Sequence, residues 1–198
     1  MAYILELAVL IVAACSLMII HEMPRTLVFG FCGHRKKVLE KAWKFWQYID
    51  LIGLVFSVTN YSGFSRSFPL GVQKRKTKKW MGFGVFLSLV LCFFLGIGVL
   101  KYVYGGLPGI DAMVPAVDMN YIGCVFWQCF TICSASMFLV NLFPVSSFDM
   151  GWIIQGFYPE KYMQLISHDG IYKITLVLFI ALDIFHYAGI WLVRFFLQ

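Results

Sequence analysis

Charged side chains are scarce in this sequence. Only 13% of its 198 residues are Asp, Glu, Lys or Arg, while 61% are hydrophobic and the mean hydropathy is +0.80. A soluble domain carries about 25% charged residues, so this polar complement is too small to cover a water-facing surface, and the surface must face lipid. Regular spacing is lacking too. The six cysteines (Cys15, Cys32, Cys92, Cys124, Cys129, Cys133) show neither zinc-ribbon nor disulfide spacing. They mostly lie in apolar runs, where a thiol behaves as a small hydrophobe, and they fix no redox compartment. There is no long internal repeat, no low-complexity tract and no sustained heptad. The opening MAYILELAVLIVAACSLMII carries Glu6, no basic leader and no small-x-small cleavage site, so it reads as a retained first span. A span takes about 20 residues, which leaves no room for a sizeable soluble domain.

What the sequence does have is a net charge of +6, concentrated in two segments, HRKKVLEKAWK and QKRKTKK, that flank apolar runs. Placed so, they read as cytoplasmic topology signals with anionic lipid as a secondary contact, and nucleic acid is not an expected partner. Apolar runs predict spans at 4–31, 80–104, 121–143 and 172–197. The segment at 49–70, IDLIGLVFSVTNYSGFSRSFPL, has too short an apolar run to cross and reads as a re-entrant hairpin. The loop GGLPGIDAMVPAVD has no Lys or Arg and belongs outside. The expected fold is therefore a single domain, an all-α integral membrane protein with about four transmembrane helices plus the hairpin, both termini outside. Gly82, Gly84, Gly96 and Gly98 on the second span suit close helix packing.

Ionisable residues within a span are expensive and need a reason. The first span contains HEMPR, with His21, Glu22, Pro24 and Arg25; the third ends in NLFPVSSFDMG, with Asn141, Pro144 and Asp149. His21-Glu22 is half of the HExxH pattern, in which two histidines one turn apart bind zinc and the glutamate activates water. Asp183 and His186, three apart on the fourth span, share a helix face and are read as satisfying one another inside the bundle.

The two motifs in this order, with IDLIG between them, resemble the site-2 protease family of intramembrane zinc metalloproteases. That family's signature is HExxH on one span and N-x-x-P-x-x-x-x-D-G on a later one, and IDLIG resembles the HIDPIG region of its compact bacterial branch. The resemblance runs over 4–181, and GWIIQGFYPEKY is similar to the family's continuation into a short helix. It implies a bacterial plasma membrane, His21 and Asp149 as metal ligands, Glu22 as the catalytic base, and Asn141 with Pro144 as the scaffold presenting Asp149. Two positions depart from the pattern: Arg25 stands where the second histidine belongs, and Met150 stands at the glycine, with Gly151 one place late.

Arg25 is a permanent cation with no lone pair to donate, so two protein ligands remain where catalytic zinc takes three. Cys32 and His34 lie about 16 Å or more further along a continuous helix, and Asp183 with His186 would have to approach from the fourth span. The expectation is that Arg25 replaces the charge of the metal, forming with His21, Glu22 and Asp149 a metal-free polar cluster that holds the first and third spans together. The leading functional expectation is then a proteolytically inactive relative, without cofactor, that binds a membrane peptide or partner helix, the hairpin offering a strand edge. The alternative is an active zinc metalloprotease using a non-standard ligand. A third is a transporter or channel subunit.

Overall fold

The computed structural model describes residues 2–31, 44–66, 75–106 and 119–198. All regular structure there is helical. The expected alternative ligands Cys32 and His34, most of the first basic segment, the start of the second, and the outer loop beyond Gly106 lie outside the described residues.

Three helices are long and apolar enough to cross a membrane: α1 (Ala2–Phe29), α3 (Arg75–Tyr102) and α4 (Met119–Asn141). Between the first two lie a short 3-10 turn (Phe45–Tyr48) and α2 (Leu51–Asn60). After α4 come two short helices, α5 (Asp149–Phe157) and α6 (Pro159–Ser167), and then α7 (Asp169–Ala181) and α8 (Ile184–Leu197). The last two cross as one span only if taken together, and they are bent by 60°. The structure thus has three to four candidate spans, and where the sequence suggested a span over 172–197 it has two helices that meet at a bend.

Packing is inside out relative to a soluble protein. Large apolar side chains such as Val12, Phe83, Leu91, Val177 and Trp191 are exposed, while His21, Glu22, Arg25, Asn141 and Asp149 are buried. An exterior of this kind is stable only against hydrocarbon, and the buried polar groups must satisfy one another. The interior apolar contacts gather Leu17, Met18, Leu89, Cys133 and Met137 between α1, α3 and α4, and Val140, Phe148, Ile180 and Phe185 where α4 meets the last helices.

Two of the four glycines on α3 set close approaches. A Cβ at Gly96 would stand 2.1 Å from Thr131 Oγ1 on α4, and one at Gly82 2.8 Å from Ile153 on α5. Gly84 meets Pro24 at an ordinary 3.7 Å and Gly98 meets nothing within 4 Å, so the packing role expected of all four belongs to two.

Of the 49–70 segment, residues 49–66 are described; they fold back and contain no strand. Its outgoing arm is α2, begun by Asp50, whose carboxylate accepts from Gly53 N at 2.9 Å. Tyr61, in the left-handed region at φ 53°, ends the helix, and residues 62–66 return without forming a strand. The limb is tied at its far end by Arg66 N donating to Tyr48 O at 3.0 Å. A Cβ on Gly53 would stand 1.9 Å from the Phe64 carbonyl oxygen, so helix and return limb touch backbone to backbone.

Candidate functional site

The site forms where α1, the return limb and the start of α5 meet. His21, Glu22 and Arg25 lie on one face of α1 because residues one turn apart stack along a helix. Asp149 is the first residue of α5, where the helix dipole favours a carboxylate. The turn before it is compact: a Cβ at Gly151 would stand 2.4 Å from the Val145 carbonyl oxygen and 2.6 Å from that of Ser146. Gly151, one place later than the family pattern, is thus the residue that lets the turn lie on the helix.

Five side chains close a ring. Arg25 donates through one terminal nitrogen to Glu22 Oε2 at 2.7 Å and through the other to Asp149 Oδ1 at 2.5 Å. His21 Nε2 meets Asp149 Oδ2 at 2.8 Å, and its Nδ1 meets Ser65 Oγ at 2.8 Å. Ser65 donates to Glu22 Oε1 at 2.7 Å and completes the circuit. The hydroxyl has one proton, directed at Glu22, so Nδ1 donates to Ser65, and a second proton lies between Nε2 and Asp149. Counted on either atom, that proton leaves the ring of a guanidinium, an imidazole and two carboxyl groups with no net charge. That balance permits such a group to sit in a low-dielectric interior, where an unpaired charge would cost several kcal/mol.

Further contacts frame the ring. The guanidinium carbon of Arg25 lies 5.3 Å from the centre of the Trp152 ring, a cation–π contact. Arg25 Nε is buried without a hydrogen-bond partner. Thr26 Oγ1 bonds Tyr48 OH at 2.8 Å and ties the 3-10 turn to α1 one turn below Glu22.

The structure thus brings together four of the expected residues, His21, Glu22, Arg25 and Asp149. Neither Asn141 nor Pro144 takes part in the hydrogen bonds of the ring. Asn141 returns its amide to Met137 O at 3.0 Å, and Pro144 lies in the turn that leads to Asp149. Among the described residues no hydrogen bond or ion pair joins Asp183 to His186, or either of them to the ring, and each has a partner at the end of α2. Asp183, left-handed at φ 56°, ends α7 and accepts from Asn60 Nδ2 at 2.6 Å, while the His186 ring stacks on Tyr61 at 4.8 Å and 17°. A short polar side chain tolerates that backbone conformation, and the resulting bend seats α8 against the end of α2.

Sequence reasoning missed Ser65 and Trp152. Ser65 is 43 residues from Glu22 and in no motif, so only the turn-back of α2 places it. Trp152 is three places beyond Asp149 on α5, a helical spacing that could have suggested it.

As arranged, these residues do not fit a zinc ion. Both His21 nitrogens are engaged, and the guanidinium binds both carboxylates at the positions a metal would need. No group of three or more His, Cys, Asp or Glu side chains suited to a metal occurs among the described residues. No family model, curated protein or solved structure matches the chain. Fold and site define a helical membrane protein with a closed ionic ring buried between its helices.

Proposed function

We propose that the chain is a site-2-protease-like membrane protein that has given up proteolysis and acts by binding a membrane peptide or partner helix. The observation that carries this reading is Arg25, whose fork joins Glu22 to Asp149. A catalytic base must be within reach of a water and free to take its proton, and Glu22 instead has both oxygens committed, one to Arg25 and one to Ser65. The ring then serves to fix α1, the return limb and α5 in the relation that hydrolysis once required. The apolar exterior of the long helices, with Phe83, Leu91 and Trp191 outward, suits a partner within the bilayer.

The orientation belongs to the same reading. Lys79 Nζ lies 4.1 Å from the centre of the Phe157 ring, so the basic start of α3 and the α5–α6 corner share one end of the bundle. With that end cytoplasmic in a bacterial plasma membrane, both termini are outside.

The test is Arg25→His. Wild-type protein is expected to hold no stoichiometric zinc and to leave membrane peptides intact, and the variant to gain zinc at about one per chain, released by His21→Ala. Zinc at one per chain in the wild type, with peptide cleavage blocked by a chelator and by Glu22→Gln, would overturn the proposal in favour of an active metalloprotease.

A further inference from the structure

A second polar feature lies near the other end of α1. Glu6 precedes His21 by 15 residues, about 22 Å along the helix. There α1, the end of α2 and the first half of α4 enclose a cleft of about 440 Å³. Tyr3, Glu6 and Tyr121 stand at one level of it, in the first turns of their helices. Leu10 and Gln128 line it about one and two turns further in, and Tyr61 closes it from α2.

The charge in this cleft is one-sided. Glu6 accepts from Tyr121 OH at 2.6 Å, and no cation pairs with it among the described residues. The residues that line the cleft include no Lys, Arg or His. One partly buried carboxylate among three tyrosines is too few anionic donors for a metal ion, which would need several carboxylates or carbonyls. It suits an organic ammonium ion, which the negative faces of aromatic rings attract in addition to the counter-charge. Leu7, Leu10, Val58, Val125 and Ile132 make much of the remaining lining apolar, which suits a hydrocarbon chain.

We propose that this cleft binds an organic ammonium group carried on an apolar chain, with Glu6 as counter-charge and Tyr3, Tyr61 and Tyr121 as its aromatic walls. The site is separate from the ionic ring and does not depend on whether the chain is a silent protease.

The test uses the purified full chain. Tetramethylammonium chloride is titrated into detergent-solubilised protein by calorimetry against sodium chloride at equal ionic strength. In parallel, protein from nanodiscs of mixed phosphatidylethanolamine and phosphatidylglycerol is examined by native mass spectrometry for the lipid it retains. Saturable tetramethylammonium binding is expected, weakened about tenfold or more by Glu6→Gln, the equivalent of one lost ion pair of about 1.4 kcal/mol. Preferential retention of phosphatidylethanolamine assigns the group to a lipid headgroup, and binding without that preference assigns it to a soluble amine. Absence of saturable binding, or equal binding by Glu6→Gln, overturns the proposal. If Glu6→Gln does not fold, Tyr61→Leu removes a wall while keeping the charge, and unchanged affinity in that variant overturns it equally.

Discussion

Removing the guanidinium at Arg25 while keeping the side chain's bulk, as in Arg25→Met, should be among the most destabilising single changes in the chain. Arg25 is fully buried and holds two carboxylates through bonds of 2.7 and 2.5 Å. A bond to a charged group contributes about 1.5–3 kcal/mol, and breaking a buried ion pair by deleting one partner costs about 3–5 kcal/mol because the other charge is stranded. The loss is the stranding, not the missing contact. A second change should therefore repair the first: adding Glu22→Gln and Asp149→Asn removes the orphaned charges and leaves amides that can bond Ser65 and His21. The expected result is a loss of about 3–5 kcal/mol for Arg25→Met and recovery to within about 1–2 kcal/mol of wild type in the triple variant. Reversible unfolding in bicelles, followed by steric trapping, measures both. A loss below about 1 kcal/mol for Arg25→Met, or a triple variant no better than the single, would refute the reasoning, because either outcome means that the carboxylates do not depend on Arg25.

Gly53→Ala places a methyl where the Phe64 carbonyl oxygen now lies, 1.9 Å away, and should push the return limb off α2 at about 1–3 kcal/mol. Ser62→Cys, at a position with no exposure in the wild type, should resist maleimide in the parent background and label readily when combined with Gly53→Ala. On α3, Gly96→Ala should destabilise by about 1–3 kcal/mol through collision with Thr131. Gly98→Ala faces open space and should be neutral or stabilise by about 0.5–1 kcal/mol, since alanine loses less backbone entropy in a helix. Thermal unfolding of the two variants side by side checks the contrast.

Lipid exposure and the long helices were legible in the sequence because they depend on composition and run length, which need no knowledge of neighbours. The suspicion attached to His21, Glu22, Arg25 and Asp149 was legible for a similar reason: a charge in an apolar run is anomalous wherever it lies. The hairpin has no strand among its described residues, because Asp50 caps its apolar run as a helix, an outcome that run length alone does not specify. The bend at Asp183 was missed because one residue in the left-handed region leaves the hydropathy of 172–197 unchanged. The break also gives Asp183 and His186 separate partners at the end of α2, Asn60 and Tyr61, which spacing along one helix does not show.

By itself, then, the sequence determined that the chain faces lipid with helices and that a cation, Arg25, stands in an apolar run beside Glu22. Only the tertiary structure decided where that cation goes. It joins Glu22, three residues away, to Asp149, which is 124 residues away, and the circuit closes through Ser65 on a limb that no motif marks. The reason is physical: hydropathy and helical spacing are local properties, whereas satisfying a buried charge is a condition on whatever happens to surround it in space.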